Sequence, residues 1–138
     1  MNSQYAVAVH VLALISMHPD HARTSEAIAG SVGTNPVVVR NIIGLLRRAG
    51  LLRTQRGVAG AVLTRTPDAV TLLDVYRAVN PPEHLFRLHE QPNPQCPVGS
   101  HIQDTLEVVF GTAQRALEER LGQVTLVDVM ADLAQRAS

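Results

Sequence analysis

Apolar and polar positions fall into blocks whose period changes from helical to extended and back. Residues 4–17, QYAVAVHVLALISM, are apolar on nearly every side and contain neither Gly nor Pro, which predicts a buried helix. His18-Pro19-Asp20 ends it, because the residue before a proline is pushed out of helical geometry. Thr24 or Ser25 then caps a short helix, SEAIAGSV, with Glu26 in its first turn, and Gly33 breaks it. Thr34 or Asn35 caps a third helix that starts at Pro36 and runs to about Ala49, with Gly50 as its stop. In that helix Val39, Ile42, Ile43 and Leu46 share one face. Val37, Arg40, Asn41, Gly44 and Arg48 occupy the other.

The period then shortens. Leu51–Gln55 and Ala61–Thr64 read as two extended pieces around RGVAGA, where Gly57 and Gly60 permit a tight turn, so a hairpin tipped by Arg56 is expected. Thr71 caps an amphipathic helix, TLLDVYRAV, ending at Val79. Residues 80–99 are proline-rich (Pro81, Pro82, Pro92, Pro94, Pro97) and read as an irregular, exposed connector, within which HLFRLHE supplies one or two helical turns. Ser100-His101-Ile102-Gln103 matches a capping box for a longer helix that ends at Gly122. Along it Ile102, Leu106, Val109, Ala113, Ala116 and Leu117 recur at four-and-three spacing, a seam suited to a partner helix. Thr125 caps a last helix, LVDVMADLAQ.

A short helix, a Gly-containing turn, a second helix with a polar-basic outer face and a hairpin form a winged helix-turn-helix pattern. The fold class expected is therefore mainly α, with a small β-hairpin wing and a long C-terminal dimerisation helix. One compact domain is expected. It divides into a DNA-binding region at 1–66, a helix and connector at 67–99, and the dimerisation and C-terminal helices at 100–138.

Composition and charge sharpen this picture. No apolar run reaches the roughly 20 residues of a bilayer span, and no secretory signal is recognisable, so a cytoplasmic protein without a membrane partner is expected. The net charge of zero conceals an asymmetry. Residues 1–66 carry seven arginines against Asp20 and Glu26, whereas residues 67–138 carry five arginines against ten acidic residues. A basic half joined to an acidic half suits a polyanion at one end.

The stretch LLRRAGLLRTQRGVAGAVLTRTPDAVTLLDVYRAV, residues 45–79, resembles the Rrf2 family of bacterial transcription regulators, and NPQCPVGSHIQDTL, residues 93–106, resembles the segment leading into that family's dimerisation helix. The resemblance implies a homodimer that regulates transcription, as a repressor, from an inverted-repeat operator in double-stranded DNA. It also places base reading at Arg40 and Asn41. Two departures stand out. Gly60-Ala61-Val62 replaces a Gly-Gly-Tyr wing, and the three connector cysteines of the iron–sulfur members are reduced to Cys96 alone. A cluster needs several thiolates, so no iron–sulfur cofactor is expected, and the likeness is to a cluster-free branch.

The candidate chemistry follows from residue type. Arg pairs in bidentate fashion with guanine and Asn with adenine on the major-groove edge; the plainer alternative for Arg40 and Asn41 is a solvated helix face. Val37 shares that face. Asn35 is either a DNA contact or only a cap. Arg47, Arg48 and Arg53 suit phosphates, and Arg56 suits a minor groove or is simply an exposed hairpin residue. Cys96 is a candidate redox sensor. A helix beginning at Pro97 puts it at an N-cap that favours a thiolate, whereas a start at Ser100 leaves it in a loop. Cys96, His84, His89 and His101 do not have compact zinc-site spacing, so no metal is expected. His10 reads as a core or interface histidine. There is no phosphate loop, nucleophile elbow or HExxH, so no enzyme is expected. The other function class is a helical protein-interaction module that uses a winged fold without DNA.

Overall fold

A computed structural model describes residues 3–79 and 93–137. Among these residues six helices and one hairpin follow in the order α1 (Gln4–Met17), α2 (Ser25–Val32), α3 (Pro36–Arg48), β1 (Leu52–Thr54), β2 (Ala61–Leu63), α4 (Leu72–Val79), α5 (Ile102–Gly122) and α6 (Leu126–Ala137). Single 3-10 turns at Pro19–His21 and Pro67–Ala69 precede α2 and α4. The expected connector, with Pro81, Pro82, Pro92, His84, His89 and the turns of HLFRLHE, lies outside the described residues except for its last part from Asn93.

Local chemistry sets the boundaries. The Thr24 hydroxyl accepts from the Ala27 N–H at 3.0 Å, so Thr24 is the cap of α2. Gly33 ends that helix at φ 84°, a left-handed geometry that favours glycine. The start of α4 is a reciprocal capping box. The Thr71 N–H donates to Asp74 at 2.9 Å and the Asp74 N–H donates to the Thr71 hydroxyl at 3.1 Å. Thr125 and Asp128 repeat that box at the start of α6. The two helix starts lie antiparallel, joined by bonds from Leu72 N–H to Val124 C=O and from Leu126 N–H to Val70 C=O. The chain's last helix is thereby tied to its middle.

The core runs through all of these elements. Val11 and Leu12 of α1, Ile28 of α2, Val39, Ile42 and Leu46 of α3, Leu51, Leu52, Val70, Val75 and Leu126 are fully buried or nearly so. Each such side chain contributes about 1.5–3 kcal/mol of transfer free energy. Of the two places expected for His10, core or interface, the core is excluded, because its side of α1 is solvent-facing and His10 is exposed. β1 and β2 pair antiparallel with Leu52 opposite Leu63, Arg53 opposite Val62 and Thr54 opposite Ala61. The architecture is a mainly helical winged helix-turn-helix with a long penultimate helix, as the hydrophobic pattern implied.

Candidate nucleic-acid interface

The outer face of α3 is held in place by its inner one. Val39, Ile42 and Leu46 are inaccessible to solvent. Rotating α3 by one residue would pull all three from the core, so the orientation of Val37, Arg40, Asn41, Arg47 and Arg48 is fixed by packing. All five are exposed. At the start of α3 the Asn35 side-chain oxygen accepts from the Val38 N–H at 3.0 Å. Asn35 is thus the cap, and Thr34 is not. Arg48 folds back along the helix over Gly44, where an added Cβ would stand in ordinary contact, 3.6 Å from Arg48 Nη1.

The wing stands beside this helix. Arg53 on β1 is exposed, and so is Arg56 in the turn beyond it. Gly60 has φ 89°, and a Cβ there would meet the Ala22 carbonyl oxygen at 3.2 Å, so the hairpin is seated on the segment that leads into α2. Arg23 and Ser25 line the groove between wing and α2, with Thr54 across from them.

Charge is distributed unevenly over this surface. Asp20 and Glu26 both face arginines: Arg23 Nη2 lies 3.4 Å from Asp20, and Arg40 Nη1 lies 3.5 Å from Glu26. Arg65 is bound into the scaffold. Its Nη1 donates to the Ala69 carbonyl and to Asp74, each at 3.2 Å, and so braces the foot of the wing against the cap of α4. Among the described residues, no carboxylate pairs with Arg47, Arg48, Arg53 or Arg56. Four guanidinium groups therefore remain for an outside anion.

In the sequence Arg23 and Arg65 register only as charge, and the Glu26–Arg40 pair leaves no direct mark. The two partners lie on successive helices, and no periodicity connects them. Opposite charge on the two halves of a helix-turn-helix was the only available signal.

At the other end of the chain, neither expected start of α5 is formed as drawn. The Ser100 capping box is absent: the cap position is His101, without a side-chain bond, and the Ser100 hydroxyl donates back to the Pro97 carbonyl at 3.3 Å. The reason is that the chain is already winding before Ser100. Ser100 N–H donates to Cys96 C=O at 2.9 Å and Ile102 N–H to Val98 C=O at 2.8 Å, so Ser100 lacks the extended backbone that a cap requires. Cys96 opens this turn. The N–H groups of Gly99 and Val98 donate to its sulfur and hold the thiol pKa below its usual value.

Helix α5 packs on α4, where Leu73 meets Gly122, Gln114 Nε2 lies 3.5 Å from Tyr76 Oη, and Arg77 lies 3.9 Å from Glu118. The seam lies about a quarter-turn round from Gln114, the helix's buried position. Ile102, Leu106, Ala113 and Leu117 are half-buried, and Val109 and Ala116 are exposed. Val108 beside them is 69% exposed. Among the described residues no group of three or more His, Cys, Asp or Glu side chains converges on a metal position. No described helix is long and apolar enough to cross a membrane.

Comparison with known proteins agrees with this geometry. The family model Rrf2, described as an iron-dependent transcriptional regulator, matches residues 1–132. YwnA of Bacillus subtilis, assigned to the HTH-type transcriptional regulators, is 52% identical over 130 residues, which covers 94% of this chain and 96% of YwnA. The crystal structure of a protein described as DNA-binding is 48% identical, with a TM-score of 0.76 over 93% of this chain and 99% of that one. A crystal structure from Lactobacillus plantarum, described as a transcriptional regulator, superposes with a TM-score of 0.81 at 30% identity, over 97% of this chain and 91% of that one. These relatives are of a regulatory, non-enzymatic class.

Proposed function

As the chain belongs to the Rrf2 family of transcriptional regulators, we propose that it binds double-stranded DNA sequence-specifically as a homodimer and acts as a cytoplasmic repressor. The observation that carries this reading is the outer face of α3. Its polar and basic residues stand opposite the buried Val39, Ile42 and Leu46, and Arg47, Arg48, Arg53 and Arg56 have no carboxylate partner among the described residues. A helix of 13 residues is about 20 Å long and fits a major groove. In this reading Arg40 and Asn41 read base edges, and Val37 makes an apolar contact. Arg47, Arg48 and Arg53 hold phosphates, with Asn35 at the helix start, and Arg56 enters the neighbouring minor groove.

Residues 1–66 then form the DNA-binding region and 67–99 the link. Residues 100–138 carry the dimer through Ile102, Leu106, Val109, Ala113, Ala116 and Leu117. Support for the dimer comes from Val108 and Val109, exposed on the flank of a helix that otherwise packs on α4. Two-fold pairing gives an inverted-repeat operator with half-sites one or two helical turns apart.

The family description names iron, but a cysteine-ligated cluster does not fit the donor set. Cys96 is the chain's single thiol, and no metal-holding group forms among the described residues. The proposed signal is instead oxidation or alkylation of Cys96. Two N–H donors favour its thiolate, and it lies six residues before α5, where a change of size or charge bears on the dimer helix.

The test is selection of duplexes from a randomised pool by the purified protein, followed by sequencing. An enriched inverted repeat is the expected result. Retention of no sequence above background, with capture of a protein partner instead, would assign the fold to protein interaction.

A further inference from the structure

Residues 1–66 hold only two carboxylates, Asp20 and Glu26, among seven arginines. Asp20 pairs with Arg23 within one turn of chain, which is a local contact. Glu26 is different. It reaches across the helix-turn-helix, from the second residue of α2 to Arg40, the fifth residue of α3. The two side chains are 70% and 54% exposed, so as an ion pair they add little to stability. The consequence lies in what the pair does to the guanidinium group.

A guanidinium carries five N–H donors in a fixed plane, and a bidentate contact to guanine O6 and N7 uses two of them. Glu26 approaches Arg40 at Nη1, which lies 3.5 Å from its Oε1. The carboxylate can therefore hold one edge of the group while another edge reads a base. We propose that Glu26 is a positioning residue for sequence discrimination: it fixes the guanidinium of Arg40 toward the base edge and cancels its charge where no guanine is offered. This rests on the reading of α3 as the helix that enters the major groove.

The physical logic is differential. On a mismatched duplex Arg40 stays neutralised by Glu26 and gains little from phosphate, while the Glu26 carboxylate itself repels the backbone. On a matched duplex the guanine acceptors add to the pair rather than compete with it. Arg47, Arg48 and Arg53, which have no such partner among the described residues, supply attraction that is the same on every sequence. Glu26 thus weakens non-specific binding more than specific binding, and specificity is the difference between the two.

The experiment compares wild type, Glu26→Gln, Arg40→Gln and the double variant. Each binds a duplex that the wild type selects from a randomised pool and a scrambled duplex, over a range of salt. Glu26→Gln should tighten binding to the scrambled duplex, steepen its salt dependence by about one phosphate contact, and narrow the specific-to-scrambled ratio on the order of tenfold. Glu26→Asp should recover part of that ratio, and in the Arg40→Gln background Glu26→Gln should leave base preference unchanged. Wild-type ratio and salt slope in Glu26→Gln, alongside lost base preference in Arg40→Gln, overturn this inference and leave DNA binding standing. Equal weakening on both duplexes together with a lowered melting temperature reduces Glu26 to a structural residue and also overturns it. Failure of the wild type to select any duplex overturns the DNA-binding reading beneath it.

Discussion

Arg40, Asn41 and Arg47 lie on one helix, yet the account gives them different work, and substitution separates the two roles. Arg40→Ala or Asn41→Ala should cost about 1–3 kcal/mol and relax preference at one base pair per half-site. Arg47→Ala should weaken every sequence alike and flatten the salt dependence by about one unit. Gel-shift titrations on matched and mismatched duplexes check both. Cys96 makes a second prediction. With Gly99 and Val98 donating to its sulfur, its alkylation rate should rise with pH around a midpoint below that of an ordinary thiol; a midpoint at the ordinary value would remove the case for a sensor. Tyr5 makes a third. Its hydroxyl donates to the Leu72 carbonyl at 2.6 Å, and burial, with Tyr76 beside it, pushes its pKa up from 10.0 to about 12. The neutral phenol is the form that the fold favours. Its contribution should therefore be fully present below pH 10 and lost as pH rises toward about 12. Tyr5→Phe should lower stability by about 0.5–1.5 kcal/mol and remove that alkaline dependence from thermal melts.

At the scale of elements, legibility follows how local the cause is. The boundaries of α2, α3 and α4 rest on Thr24, Asn35 and Thr71, whose side chains bond within three residues, and the sequence narrows each cap to one residue or two neighbours. The start of α5 is different. The Ser100–Gln103 pattern is intact, but the turn that begins at Cys96 has already wound the backbone, and a four-residue pattern carries no record of the turn before it. His10 shows the same limit, since an apolar neighbourhood in sequence does not say which side of α1 meets solvent. The caps at Thr71 and Thr125 were legible one by one, while the reciprocal bonds from Asp74 and Asp128 and the antiparallel contact of the two helix starts were not. That contact yields a prediction. Thr71→Ala should cost about 1 kcal/mol by urea unfolding, the usual value of a lost cap. It should also loosen α6, which hydrogen exchange at Leu126 would report.

At the scale of the molecule, a basic amino-terminal half and a long helix with an exposed apolar flank are two parts of one proposal, because a dimer sets the spacing at which two copies of α3 meet DNA. Leu106→Glu puts a charge on the seam. It should shift light scattering from dimer to monomer and weaken operator binding, while leaving the melting transition cooperative. An unchanged dimer would place the interface elsewhere. The charge asymmetry and the helix-turn-helix period pointed to the proposed DNA-facing end from the chain alone, whereas the pairing of Arg40 with Glu26 needed the fold, because it depends on how α2 crosses α3. The most direct test of the central claim is an equilibrium titration of the purified protein against its pool-selected duplex and a scrambled duplex of equal length and composition. The account predicts saturation at two chains per selected duplex, with affinity at least on the order of 1,000-fold above the scrambled one. Equal affinity for the two duplexes, or no binding to either, would contradict it.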